Sequence, residues 1–544
     1  MELKHFPKNF VPTSLQEKAI SRIDKALKKY RFVVVQGPTG VGKSMLAKTI
    51  ANSTSKLPKR LERIVNDYTA YQSTWDNNKL VYEYADDFSS KRFGTSILTT
   101  TKQLQDQYTR DFSDIQTLKG KGSYLCNIDE RSTADVAPCL FSSKLKRECW
   151  DCNRCDYYES RNKAISAKVS IENYASFFHK PDHLKNRDVI ICDEASELEN
   201  VIVNRFSCSI EMGRLEKYGF QLRYSFDRKR FHNNLESLNE KLEFRSNELM
   251  RILDKHTTVS DSYKKEYKFV SDLKGHISRI LNTWYDSEYL YEDVRVKNKR
   301  YIKLIPKKVD NLAKHLFKYA NKVVLMSATF VDYKAFMRGL GVSDDEYTFV
   351  DLPSDFDSTK SPIYVGGFRL NNSNLVNVFP KVVNEIKLLL EKHKDEKGLI
   401  HTQSDEITRM LQDALGKGRL LYRIQGQNEN ADIITKHLAS DKPTVLASPS
   451  MNFGVDLKGD LARFCIVVKQ PWLNLKDIRV AAMNKTVKGW YDKKMLTSLI
   501  QQCGRCTRDK NDYSRTYILD GFTLTGILKR NINSLPKYFI DRFV

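Results

Sequence analysis

The stretch that most constrains this chain is Arg31-Phe-Val-Val-Val-Gln-Gly37-Pro38-Thr39-Gly40-Val41-Gly42-Lys43-Ser44. A β-branched run ends in a glycine-rich turn, and the turn opens onto Met45-Leu-Ala-Lys-Thr-Ile50, a good helix former. The pattern G-x-x-x-x-G-K-S between a strand and a helix is a phosphate-cradling loop. Its glycines let backbone N–H groups close around the phosphates, and the helix N-terminus adds its positive end. Gly37, Pro38, Thr39, Gly40, Val41 and Gly42 shape the cradle, Lys43 neutralises the phosphates, and Ser44 is placed to hold Mg²⁺. A nucleoside triphosphate is therefore the first expected ligand, and the question becomes what its energy drives.

At 544 residues the chain is too long for one core, so three or more domains are expected. An apolar fraction of 41% is that of a globular protein. Lys and Arg outnumber Asp and Glu by 90 to 67, giving a net charge of +23 and a pI near 9.3. Such a surface favours a polyanion, most simply nucleic acid. No apolar run reaches the length of a membrane span, and Met1-Glu-Leu-Lys-His-Phe-Pro lacks a secretory apolar core. The expectation is a protein that is not secreted, has no membrane partner, and resides in the cytoplasm or wherever its nucleic acid lies.

Other signals follow in chain order. Ser14 can cap the helix that begins there, with Glu17 returning the bond, and Gln16 can read an adenine edge with its amide or serve only as an exposed turn residue. The polar segment from about 52 to 92 carries Tyr68, Tyr71, Trp75, Tyr82 and Tyr84, which either stack on bases or pack half-buried in an insertion. Thr95 to Gln107 reads as a strand turning into a helix, with hydroxyls and Lys102 at the turn suited to backbone phosphates. Five of the ten cysteines fall in one stretch, at Cys126, Cys139, Cys149, Cys152 and Cys155. That spacing is poor for a secreted disulfide framework and good for a thiolate site holding Zn²⁺ or an iron–sulfur cluster. Cys503 and Cys506, by contrast, sit inside a different motif.

Asp188-Val-Ile-Ile-Cys-Asp193-Glu194-Ala-Ser196 is a buried strand ending in two carboxylates. Asp193 can hold Mg²⁺ through water and Glu194 can deprotonate the attacking water. Leu235, Leu238, Leu242, Leu249 and Leu253 recur at helical spacing, as do Val270, Leu273, Ile277, Ile280 and Trp284. Two amphipathic helices packed together are expected, followed by a hairpin at 294–306 that leads the chain back. Val323 to Thr329 returns to strand character. Strands at 397–402, 420–424, 443–448, 464–469 and 516–520 then predict a second parallel sheet. Within it, Gln501-Gln-Cys-Gly504-Arg505-Cys-Thr-Arg508 spaces two arginines so that a helix would present both on one face. Guanidinium groups so placed can reach a γ-phosphate across a cleft.

Together these blocks resemble the XPD/DinG family of superfamily 2 iron–sulfur DNA helicases. The resemblance spans nearly the whole chain. It rests on Gln16, Gly37–Ser44, Thr99–Leu104, Asp193-Glu194-Ala195-Ser196, Ser327-Ala328-Thr329, Gly454-Val455-Asp456 and Gln501–Arg508. Lys119-Gly-Lys-Gly-Ser-Tyr-Leu-Cys126 and Cys155-Asp-Tyr-Tyr resemble the flanks of the family's first and last cluster cysteines, and Asn173-Tyr174-Ala175 also has a counterpart. The family implies an α/β fold of two RecA-like parallel-sheet domains, with a small iron–sulfur domain and a helical arch inserted in the first. On this chain the first RecA-like domain falls at 1–110, 166–204 and 306–350, the cluster domain at 111–165, the arch at 205–305 and the second RecA-like domain at 351–544.

The resemblance implies ATP, Mg²⁺ and a [4Fe–4S] cluster held by four of the five cysteines, of which the family match places Cys126 and Cys155. It implies a monomer that hydrolyses ATP, moves 5′ to 3′ on single-stranded DNA and opens forked DNA. Gln16 and Asp456 join the loop as nucleotide contacts, Asp193 and Ser44 hold Mg²⁺, and Glu194 is the base. Lys43, Arg505 and Arg508 stabilise charge, while Gln501 orders the water. Ser196 departs from the family's His after Glu-Ala. The competing expectations are an ATP-switched clamp or redox sensor without unwinding, or a translocase on RNA or R-loops.

Overall fold

The buried run Phe32–Gln36 forms β1, and its side chains alternate between two cores. Phe32 and Val34 pack in one cluster with Val323 and Leu325, whereas Val33 and Val35 pack in another with Val324 and Met326. Successive strand residues point to opposite faces, so a strand can be apolar throughout only when both faces are covered. This is a computed structural model that describes residues 3–56, 92–142, 144–145, 155–255, 260–354, 356–371, 373–424, 430–449, 457, 459–507 and 512–544. The five aromatic residues expected in the 52–92 segment, Tyr68, Tyr71, Trp75, Tyr82 and Tyr84, lie outside those residues.

In chain order the next strands are β2 (Thr95–Thr99), β3 (Gln116–Leu118), β4 (Val169–Asn173), β5 (Arg187–Cys192), β6 (Cys208–Glu211), β7 (Tyr289–Val296), β8 (Lys299–Pro306), β9 (Ala320–Ser327) and β10 (Tyr347–Asp351). Seven strands form one wholly parallel sheet in the order β10-β1-β9-β5-β2-β4-β3. Its edge strand β3 lies within 111–165, the stretch expected to form the cluster domain. The phosphate loop follows β1, the turn to helix Lys102–Asp111 follows β2, Asp193 follows β5, and Ser327 ends β9. All of these lie at the carboxyl edge, where parallel sheets place their ligands.

A second parallel sheet comprises β11 (Ile363–Val365), β12 (Gly398–His401), β13 (Leu420–Tyr422), β14 (Val445–Ser448), β15 (Phe464–Val467) and β16 (Arg515–Ile518). Its order is β11-β16-β15-β12-β14-β13, with separate clusters on its two faces. Five of these strands fall where the alternation of apolar runs and helices puts them; β11, three residues long, carries too short a pattern to read. The Phe464 ring lies where a Cβ on Gly398 would be, 2.3 Å away, so the β12–β15 contact requires glycine there.

Between β5 and β9 the chain leaves the first sheet. Helices Arg228–Lys255 and Asp261–Asn282 pack along Leu235, Leu238, Leu242 and Leu249 against Val270, Leu273, Ile277 and Ile280. The expected hairpin is present but longer than its alternating residues suggested: β7 begins at Tyr289, whose ring stacks on Trp284 at 5.5 Å. The turn uses Lys297 and Asn298 at φ 48° and 64°, the left-handed pair that matches hairpin twist. β6 adds to β8 to give a three-stranded antiparallel sheet beneath the helices.

Besides its strand β3, the cysteine-bearing stretch is fastened to the first sheet by the buried Arg187. Arg187, 1% exposed, donates to the Ile165 and Ala164 carbonyls at 2.8 and 2.7 Å, the last turn of helix Asp156–Ser166, and to Ser96 Oγ at 2.9 Å. Carbonyls at a helix C-terminus lack intrahelical partners and carry the negative end of the dipole, so a guanidinium satisfies both.

Candidate nucleotide cleft and cysteine cavity

The phosphate loop has the backbone that its glycines allow. Gly40 and Gly42 take φ values of 88° and 81°, and Gly42 caps helix Lys43–Ser53. Lys43 Nζ donates to the Gly37 and Pro38 carbonyls at 2.8 and 3.2 Å, which folds the ammonium over the loop where phosphate oxygens would compete for it. Ser44 sits half-buried in the first helical turn.

Gln16 is buried rather than an exposed turn residue, and its amide belongs to the cap of the entry helix. Thr13, not Ser14, is the N-cap, and Gln16, not Glu17, returns the bond: Gln16 N–H donates to Thr13 Oγ1 at 3.2 Å and Thr13 N–H donates to Gln16 Oε1 at 3.0 Å. The same amide donates from Nε2 to the Val41 carbonyl at 3.2 Å. Gln16 thus ties the entry helix to the loop, and a Cβ on Gly42 would lie 2.2 Å from Gln16 Nε2.

Across from the loop, Asp193 is buried and held from three directions. Tyr108 Oη donates to Asp193 Oδ2 at 2.9 Å, Glu194 N–H donates to Oδ1 at 3.0 Å, and Tyr174 Oη donates to its carbonyl at 3.2 Å. Burial and the neighbouring Glu194 carboxylate push the Asp193 carboxyl up, while Lys43 and the Tyr108 hydroxyl pull it back. A cation at this carboxylate would be stabilised strongly, because little water competes. Glu194 has φ 51°, a left-handed conformation costly for a residue with a Cβ and one that turns its side chain away from the strand path.

The second sheet contributes from helix Trp490–Cys503 and the turn after it. Gln501 Nε2 donates to Ser196 Oγ at 3.3 Å, and Ser327 Oγ donates to the same oxygen at 3.0 Å. Thr39 Oγ1 donates to the Thr507 carbonyl at 3.3 Å, so the tip of the phosphate loop touches the arginine-bearing turn. The expectation of two arginines on one helical face is corrected: the helix ends at Cys503, so Arg505 lies in the turn beyond it, where Gly504 is the C-cap. Arg508 and Asp456 fall outside the described residues, as do Gly454 and Val455.

Three contributors were not legible as site residues. Tyr108 and Tyr174 are reached from helices of other crossovers, and only Tyr174 lay in a stretch singled out beforehand. His401, at the end of β12, is fully buried with neither ring nitrogen hydrogen-bonded among the described residues. Burial and then the charge of Arg505 push it down to about 3, so it packs beside that arginine as a neutral imidazole.

The cleft is also latched away from the nucleotide residues. Glu199 accepts from Trp490 Nε1 at 3.2 Å, pairs with Lys494 at 2.6 Å, and pairs with Arg479. Asp332 pairs with Lys493 at 2.7 Å, and the Tyr538 hydroxyl donates to the Ala328 carbonyl at 2.9 Å. Each tie joins the first sheet's carboxyl edge to the second half.

Of the five candidate thiols, Cys126, Cys139 and Cys155 line one small cavity with Lys121, Tyr157 and Tyr158. Cys149 and Cys152 lie outside the described residues. Thiolates are soft donors suited to zinc or iron–sulfur centres. Three of them around one cavity fit such a group in donor type, although among the described residues no three potential ligands close to metal-binding distance. Among the described residues no helix is long and apolar enough to cross a membrane.

Comparison with known proteins bears on both halves. Residues 387–538 match the helicase C-terminal domain family, residues 98–215 match DEAD_2, and residues 10–135 match Novel STAND NTPase 3. A protein of Methanocaldococcus jannaschii described as a probable ATP-dependent helicase is 21% identical, over 96% of this chain and 94% of its own. A solved XPD helicase structure superposes with a TM-score of 0.61 at 15% identity, covering 95% of this chain and 98% of that one. The Xpd4 protein of S. tokodaii superposes with a TM-score of 0.52 at 13% identity, covering 94% and 97%. At these identities the shared feature is the fold, which in this chain comprises two parallel sheets.

Proposed function

We propose, from the premise that this chain is a helicase of the XPD/DEAD-like type, that it hydrolyses ATP to move 5′ to 3′ along single-stranded DNA and separate forked strands. The observation that carries the reading is the meeting of two separately packed sheets on one site. The phosphate loop, Asp193 and Glu194 come from the first sheet, and Gln501 and the Arg505 turn come from the second. ATP bound there would touch both halves, so making and breaking its γ-phosphate would close and reopen the cleft.

In this reading Gly40, Gly42 and Lys43 hold the phosphates, while Ser44 and Asp193 hold Mg²⁺. Glu194 takes the proton of the attacking water from its left-handed position just past the tip of β5. Arg505, with Arg508, neutralises charge that develops on the transferred phosphoryl group. Ser196, joined to Ser327 and Gln501, links the cleft's two walls at the position where the family carries His.

The cysteine cavity is read as the seat of a [4Fe–4S] cluster, with Cys126, Cys139 and Cys155 among the candidate ligands and Cys149 or Cys152 completing four. Such a group would supply a rigid cross-link between short loops. The deciding experiment is strand displacement on forked DNA with and without ATP, with RNA and hybrid forks alongside. ATP-dependent release of the DNA strand is expected. ATP hydrolysis with no strand release on any fork would replace the helicase by a nucleotide-switched clamp.

A further inference from the structure

Away from the phosphate loop, the two halves enclose a second cavity of about 390 Å³, within the ~300–1,000 Å³ typical of small-molecule sites. None of the residues Gly37–Ser44 lines it. One wall is the segment after β9, with the Phe330 and Phe336 rings in tilted contact at 4.9 Å. From the second half Trp490 also lines it, with its indole held by its bond to Glu199.

The charge of the lining is unbalanced. Lys493 and Lys494 are neutralised by Asp332 and Glu199. Lys308, Arg338 and Lys488 are exposed, and among the described lining residues Asp310 is the remaining acid. Flat aromatic walls with exposed cations at the rim suit a ligand that is itself flat at one end and anionic at the other. A wall already held in place loses little freedom on binding.

The cavity is also wired to the nucleotide cleft. Phe330 N–H donates to Gln36 Oε1 at 2.7 Å, and Gln36 is the last residue of β1, directly before the phosphate loop. Trp490 opens the helix whose other end carries Gln501. A ligand wedged between Phe336 and Trp490 would bias the same closure that the cleft requires.

We propose that this cavity binds a nucleotide unit, with its phosphate against Lys308, Arg338 and Lys488 and its base between Trp490 and Phe336. The nucleotide is either one unit of a single strand, a source that rests on the motor reading above, or a free nucleotide acting as an effector.

The test uses the full chain with Lys308→Glu and Lys488→Glu combined, and a control in which the exposed Lys436 and Lys442, outside the lining, are changed to Glu. Fluorescent oligothymidylate measures strand binding, and radiolabelled ADP is dialysed against chains that also carry Lys43→Ala to empty the phosphate loop. For a strand source, oligothymidylate affinity falls at least tenfold in the cavity variant and not in the control, its salt dependence becomes shallower, and ATPase without nucleic acid is unchanged. For a free nucleotide, ADP binds the Lys43→Ala chain and is lost when the cavity lysines are reversed. Equal oligothymidylate affinity in cavity variant and control, with no ADP bound to the Lys43→Ala chain, overturns the proposal. A wild-type chain that does not bind oligothymidylate defeats the motor reading instead, and the ADP arm then decides the cavity alone.

Discussion

The nucleotide cleft and the cysteine stretch are built on opposite plans. Each wall of the cleft stands on a parallel sheet with apolar clusters on both faces, and the walls meet through polar ties such as Gln501 to Ser196 and Glu199 to Lys494. Among the described residues, the stretch around Cys126 has a cluster of Cys126, Ala137 and Cys139, with Leu145 against it. Burial of apolar surface is the main favourable term in folding, and a cluster of that size supplies little of it. In the cleft, therefore, a polar side chain can be removed at a cost to function while the fold persists. In the cysteine stretch thiols are two of the three buried cluster members among the described residues, so removing one should cost local structure.

The sharpest way to break this contrast is Glu194→Gln. The amide cannot accept a proton, so hydrolysis should fall by roughly 10²–10⁴ while ATP binding and thermal midpoint stay near wild type. Turnover near the normal rate would take the base role from Glu194. Arg505→Ala comes next. An arginine finger contributes roughly 10³–10⁵ elsewhere, and with Arg508 sharing the charge a loss on the order of 10² is expected, again in a folded chain. If Arg505→Ala unfolds the second half, as read by circular dichroism, the plan of independent walls fails.

How much of this could be read beforehand follows the same divide. The phosphate loop, β5 with its two carboxylates and most second-sheet strands are local patterns, set by glycine torsions and by apolar runs that need two covered faces. The leucine spacing likewise announced the two packed helices. What depends on packing between distant elements was silent. Tyr108 reaches Asp193 only because β2 and β5 are neighbours. The choice of Thr13 and Gln16 over Ser14 and Glu17 for the helix start turns on Val41 being close enough to share the Gln16 amide. Arg505 lies past its helix because Gly504 ends it, and the latch at Glu199 joins residues 280 to 295 positions away, which no spacing rule links.

A smaller effect is expected at that latch. Burial pushes the Glu199 carboxyl up, but Lys494 and Arg479 overcome it and bring the group from an ordinary 4.5 to about 2. A depressed acid contributes its stabilisation fully above the ordinary value and loses it as pH falls through the depressed one. The latch should therefore hold unchanged from pH 8 down to about 5 and weaken only below about 4. Glu199→Gln should remove it at every pH. Hydrogen bonds to a charged group are worth about 1.5–3 kcal/mol, so closure, followed by fluorescence transfer between dyes on the two halves, should weaken by roughly ten- to a hundredfold. A closed fraction that the variant leaves intact would mean that the cleft is held by the ties nearer the nucleotide.

The smallest effect on hydrolysis is expected from the cysteines, and it tests the contrast most directly. The purified protein should carry about four iron atoms per chain if a [4Fe–4S] site is present. Cys126→Ser and Cys155→Ser should each lose that iron and strand separation. They should also render the 119–155 region susceptible to limited proteolysis, because the cluster among the described residues there is small and two of its members are thiols. The Arg187 bonds to the Ile165 and Ala164 carbonyls stop that loosening from reaching the first sheet, since they pin helix Asp156–Ser166 independently of the thiols. ATP hydrolysis without nucleic acid should accordingly stay within a few-fold of wild type. The same serine changes bringing hydrolysis down with the iron would mean that the two regions are one cooperative unit. One zinc and no iron in metal analysis would keep the architecture and replace the cluster with a structural ion.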